Sequence, residues 1–159
     1  MAPPLTPADP AARPAVECEY NVGMDARPTE PDQINRAEVV AEVTAAFEQY
    51  EAALVANDVD VLIEMFWDDP RTVRYGIDEQ HLGHADIAAY RRTQAMATPP
   101  RRLRSTVITT FGTDLATADT EFVPEGSDAV GRQSQTWIRT DAGWRVASAH
   151  VSWHGGRRP

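Results

Sequence analysis

Four β-rich runs occupy the C-terminal half of the sequence: 102–111, 115–123, 130–140 and 144–153. Only Gly112-Thr113-Asp114, Pro124-Glu125-Gly126-Ser127-Asp128 and Asp141-Ala142-Gly143 separate them. Parallel pairing needs a crossover of about a dozen or more residues, so connections this short join antiparallel neighbours. The runs therefore form a meander. Upstream, Val39, Val43, Phe47, Tyr50 and Leu54 recur at spacings of 4, 4, 3 and 4, which is one face of an α-helix over about 36–56. Asn35 is its expected N-cap, with Glu38 as capping-box partner. Asp58 caps a second, short helix through Val61, Leu62, Met65 and Phe66. Asp69-Pro70 ends it, because the residue before proline avoids helical geometry. A short strand at 72–75 stops at Gly76, with 80–82 as its hairpin partner, and 86–94 reads as a third helix before Pro99-Pro100. Helix, helix, hairpin, helix and meander make an α+β layer fold. Helices cover one face of a curved antiparallel sheet, and the mouth of the resulting cone is a natural small-molecule pocket.

The last hairpin decides which side chains share that pocket. A three-residue loop, Asp141-Ala142-Gly143, pairs Thr140 with Trp144. Ile138 then faces Val146, Ser134 faces His150 and Arg132 faces Ser152, all on the inner face. A loop of two or four residues would swap the faces.

At 159 residues the chain fits one domain. Seven of its twelve prolines fall in residues 1–33, which excludes continuous helix or a central strand there. We read 1–33 as a Pro-rich disordered tail, 34–154 as the folded domain and 155–159 as a flexible C-terminus. The tail carries two PxxP spacings, Pro7–Pro10 and Pro28–Pro31, and Met24 is an alternative translation start. The 15 basic residues, all arginine, against 24 acidic ones give a net charge of −9, which argues against nucleic acid as a partner. The absence of lysine excludes Schiff-base and P-loop lysine chemistry. The single cysteine, Cys18, allows no intrachain disulfide and no multi-cysteine metal site. With no apolar run near the ~18 residues of a membrane span and no signal-peptide pattern, the expectation is a cytoplasmic protein that binds no membrane. No Gly-rich phosphate loop and no HExxH occur, so neither a cofactor nor a metal is expected. His81 and His84 are the only close histidine pair, and they flank a glycine in a loop.

The segment from Trp67 to Gly76 carries the most chemistry. If Arg74 points into the cone it needs an anion, because an unpaired buried charge is costly. Asp119, Glu121 or a substrate carboxylate would serve, and a guanidinium grips a carboxylate with a planar fork. A structural salt bridge or a surface arginine is the commoner fate of such a residue. Tyr50 lies on the apolar stripe of the first helix, where a buried phenol wants a hydrogen-bond partner. In a pocket it would donate a proton or orient a ligand oxygen, although a satisfied core tyrosine is the plainer reading. His150, Ser152 and Ser134 resemble parts of a nucleophilic triad, but no Gly-x-Ser-x-Gly elbow accompanies them. Trp67, Tyr75, Trp137, Trp144 and Trp153 would fill the cone wall or a subunit interface. Arg101, Arg102 and Arg104 read as a solvated strand end.

The runs FWDDPRTVRYG and GRQSQTW, with the pattern of the first helix, resemble the AtzH-like family of NTF2/SnoaL-type proteins over residues 34–153. The resemblance implies an α+β cone assembled as a homodimer through its sheet, in oxalurate or cyanurate breakdown. It implies a cofactor-free, decarboxylating amidohydrolase that removes a carboxylate from an N-carboxylated urea to give allophanate. Tyr50 and Arg74 map to its catalytic positions. Trp67, Tyr75, Arg132, Ser134, Trp137, His150 and Ser152 are then expected to bind the substrate, a small anion. Two rival readings stand beside it. One is a non-catalytic binding module or accessory subunit of a ureide amidase. The other is a SnoaL-type isomerase or cyclase, which needs an inward Asp or His base in an apolar pocket. The catalytic reading requires the Arg74 guanidinium to enter an enclosed cavity with no protein acid beside it.

Overall fold

In a computed structural model, residues 33–94 and 98–156 are described. The tail expected over 1–33, with its PxxP spacings, Cys18 and Met24, lies outside them except for Gln33.

Helix α1 (Ala37–Ala56) buries Val39, Val43, Phe47, Tyr50 and Leu54, the stripe its periodicity predicts, together with Glu51. Asn35 is not its cap. The N-cap is Arg36, which makes no side-chain cap bond. Asn35 instead pairs with the distant meander, donating its N–H to the Thr110 carbonyl and accepting the Thr110 N–H at its Oδ1. Glu38, free of a capping box, accepts from Arg36. Helix α2 (Val59–Glu64) starts as expected, with the Val61 N–H donating to Asp58 Oδ1 at 3.2 Å. Asp58→Ala should cost about 1 kcal/mol of stability; urea unfolding of the two proteins measures it. Strands β1 (Val73–Tyr75) and β2 (Gln80–Leu82) form the small hairpin, and α3 (His84–Thr93) begins two residues earlier than its expected start. The meander is β3 (Arg101–Phe111), β4 (Leu115–Pro124), β5 (Gly131–Thr140) and β6 (Gly143–Trp153).

The six strands form one sheet in the order β2-β1-β6-β5-β4-β3. All pairs are antiparallel except β1 with β6, so the sheet is mixed. One side carries the core, where Trp137, Phe66, Leu62, Ile87, Val43 and Val146 are fully buried. Bulges interrupt the β3–β4 and β5–β6 ladders and bend the sheet over the helices, giving an open α+β cone.

The last hairpin differs from its expected register. Its loop has two residues, because Thr140 pairs with Gly143, whose φ of +99° suits glycine. The Thr140 hydroxyl holds the turn by donating to the Gly143 carbonyl and accepting the Ala142 N–H. Trp137 therefore faces Val146, and Ile138 faces Arg145. A bulge between Thr136 and Trp137 then restores the expected partners Ser134–His150 and Arg132–Ser152. The partners are right but the face is not. Gln133, Gln135 and Trp137 point inward, so Arg132 and Ser134 point outward with His150 and Ser152.

Candidate active site

A cavity of about 720 Å³ opens between the helices and the concave side of the sheet. Tyr50, Arg74, Tyr90, Arg91, Arg101 and Gln133 supply its polar wall, and Leu54, Phe122, Val151 and Trp153 much of its apolar wall.

Tyr50 comes from the buried stripe of α1. Its ring meets Phe66 and Trp137 edge-on, at 6.2 and 6.3 Å between centroids. Arg74 faces inward because the parallel β1–β6 ladder sets it beside buried Ala149, while Tyr75 pairs with outward His150. Its Nη1 donates to Glu79 Oε1 at 3.0 Å, and its guanidinium lies 4.8 Å from the Tyr90 ring centroid. Glu79 also accepts from the Tyr90 hydroxyl at 3.1 Å and the Asp78 N–H at 3.1 Å. Burial works to raise the Glu79 carboxyl, but Arg74 and the Asp78 N–H outweigh it and hold it below its ordinary value. Glu79 is thus an ionised acceptor at neutral pH. Burial, in turn, pushes the Tyr90 phenol up, and its bond to the Glu79 carboxylate adds to the shift.

Arg101, at the start of β3, donates to both oxygens of Glu51, at 2.7 and 2.8 Å through Nη2, and to Gln133 Oε1 at 3.0 Å. Gln133 Nε2 closes the triangle on Glu51 Oε1 at 2.8 Å. Two of the three cavity guanidiniums therefore have a carboxylate. The third, Arg91 on α3, has none among the described residues. It is 7% exposed, donates from Nη2 to the Tyr50 hydroxyl at 3.3 Å, and keeps a buried Nε with no partner. An uncompensated buried charge of this kind is strongly unfavourable.

The AtzH-like family profile matches residues 32–156. The chain belongs to the AtzH-like family. Among solved structures, a DUF3225-family protein from Pectobacterium atrosepticum SCRI1043 is 51% identical, with a TM-score of 0.77 over 80% of this chain and 100% of that one. A cystatin-like fold protein from Burkholderia xenovorans LB400 is 46% identical, with a TM-score of 0.72 over 76% of this chain and 95% of that one. An NTF2-like protein from Pseudomonas putida KT2440, at 21% identity and a TM-score of 0.63 over 74% of this chain and 87% of that one, shares the fold. No curated protein matches the chain. Among the described residues, no helix is long and apolar enough to cross a membrane.

In this AtzH-like chain Tyr50 and Arg74 both reach the cavity. The expectation that Arg74 would lack a protein acid is wrong, because the turn after β1 returns Glu79 to it. Asp119 and Glu121 are not its counter-ions: Asp119 is exposed on β4, and Glu121 pairs with Arg104 at 3.0 Å and Arg132 at 3.4 Å. Arg132, Ser134, His150 and Ser152 stand on the outer face and do not line the cavity, for the reason of register given above. Tyr75 packs its ring against His150 on that face. Trp137 is core, under Tyr50, with a buried Nε1 that has no partner. Trp67 lies outside the cavity, under the Arg71 guanidinium. Arg71 also grips Asp69 and holds that carboxyl down at about 2. His81 and His84 point to different acids, Asp86 and Asp68, and His84 Nε2 also meets the Ile63 carbonyl. Arg101 is no solvated strand end.

Sequence reasoning missed Arg91, Tyr90, Glu79, Glu51 and Gln133. For Arg91 a signal existed. It lies three and four residues after Ala88 and Ile87, the other buried positions of α3, so the helical period places its stem on the inner face.

Proposed function

We propose that the cavity is the active site of a decarboxylating amidohydrolase acting on an N-carboxylated urea. One observation carries this reading: Arg91, with no acid beside it among the described residues, presents its guanidinium at a phenol that is not itself used up. Because Tyr50 accepts from Arg91, its own O–H remains available for a ligand. A substrate carboxylate docks on Arg91, which fixes the adjacent nitrogen near Tyr50. Tyr50 donates a proton to that nitrogen, directly or through water, as the bond between nitrogen and the carboxyl carbon breaks. The electron pair goes to nitrogen, carbon dioxide leaves, and solvent restores the Tyr50 proton. Glu79, ionised, is not the donor. Arg74 is a positioning residue that holds Glu79 and Tyr90 as one wall of the site. The isomerase alternative loses support because the Glu79 carboxylate is tied to Arg74 and the Asp78 N–H, and among the described residues no histidine lines the cavity.

Carbon dioxide release from urea freshly carboxylated on both nitrogens, which leaves allophanate, tests the reading. Tyr50→Phe should lower kcat by about 10²–10⁴-fold with KM little changed, the span expected when a positioned proton donor is lost. Wild-type protein that binds the acid without releasing carbon dioxide, or Tyr50→Phe with wild-type turnover, would point instead to the accessory-module reading.

A further inference from the structure

Resting on that reading of Arg91, we infer that Arg101 holds the substrate's second carboxylate through Nη1, so that the site selects ureas carboxylated on both nitrogens. A reaction that leaves allophanate starts from a dianion, and Arg91 takes only one of its two carboxylates. Arg101 lines the same cavity. Its Nε donates to Glu51 at 3.2 Å, and its Nη2 donates to Glu51 and Gln133. Nη1 has no partner among the described residues and is not sealed in the interior. Its two N–H groups are the donors left over for a ligand. The guanidinium is held against turning, by Glu51 along one edge and by the Phe122 ring, whose centroid is 4.4 Å away. That ring has its seat because residue 131 is glycine: a Cβ there would come within 2.1 Å of it. A donor fixed in this way loses little freedom on binding. Arg74, by contrast, is held by one hydrogen bond, to Glu79. Helix α1 sets the spacing of the two ends. Tyr50 meets Arg91, and the next residue, Glu51, holds Arg101. Consecutive helical residues point about 100° apart, so the two guanidiniums stand apart around one cavity, as the carboxylates of the substrate do. Charge then sorts the ends. Arg91, with no carboxylate among the described residues, takes the group that leaves beside Tyr50. Arg101, already neutralised by Glu51, offers hydrogen bonds to the group that stays. Glu125 also lines the cavity but is exposed, where water and salt screen it.

Calorimetric titration of the full chain with glutarate and glutaramate tests this, since the two differ only in one carboxylate replaced by an amide. Glutarate should bind about tenfold tighter or more, the scale of one charge-assisted hydrogen bond. The double variant Glu51→Leu with Arg101→Met removes Nη1 together with its counter-ion and should abolish that advantage. Arg101→Lys keeps a cation for Glu51 but has a single nitrogen, and should abolish it too. Arg91→Met should weaken both acids. Equal affinity for the two acids in the unaltered chain, both weakened in Arg91→Met, overturns this inference and leaves the Arg91 reading standing. A glutarate advantage that survives in either Arg101 variant also overturns it. Failure of both acids to bind, or binding untouched by Arg91→Met, overturns both readings.

Discussion

Arg91→Met should abolish binding of small carboxylates while leaving the protein as stable as before or more so. Methionine keeps an unbranched stem against Tyr50 and Tyr90 and removes a buried cation that has no carboxylate among the described residues. Replacing a buried charge by an apolar group of similar shape is often neutral or stabilising. The lost charge-assisted contacts, about 1.5–3 kcal/mol each, predict at least a hundredfold weaker binding of malonamate for a two-pronged contact. Calorimetry of unfolding and of binding reads both signs on the same samples. A lowered Tm with unchanged affinity would make Arg91 a structural residue and remove the basis for the proposed chemistry. The parallel variant, Arg74→Met, has a different expected signature. It strands Glu79 in a partly buried site, so stability falls together with activity.

Glu51→Ala should be the most destabilising change to a polar residue, at about 3–5 kcal/mol, because it leaves Arg101 buried without its counter-ion. The Arg101 side chain is 4% exposed and that of Glu51 11%, so solvent offers little replacement. For a domain of this size the loss corresponds to a fall in Tm on the order of 10 °C. The double variant Glu51→Leu with Arg101→Met should recover most of it, since both charges then leave the interior. A single variant with wild-type Tm, or a double no better than the single, would show that the Glu51–Arg101–Gln133 triangle does not hold the cavity wall together.

Much of the architecture was legible because it is local. The α1 stripe follows from the helical period, and all five of its predicted inward residues are buried. Asp58 caps α2 through a contact three residues away, which a sequence displays directly. Short turns made the meander antiparallel. Asn35 misled because its local pattern fits a capping box, while the bond it makes reaches Thr110, 75 residues on.

What the sequence determined by itself is the order of elements and the buried face of α1, with Tyr50 on it. These follow from periodicity and turn chemistry, which act over a few residues. The tertiary structure alone decided the inner face of β5 and β6 and the charge partners of the arginines. A two-residue loop, where three were expected, turned Arg132 and Ser134 outward, and the bulge after Val146 did the same for His150 and Ser152, because side chains alternate and one residue inverts the face. Arg101 found Glu51 from 50 residues away, and Arg91 found Tyr50 from 41. Electrostatic pairing depends on distance in space, so only the folded chain shows which guanidinium has no carboxylate among the described residues.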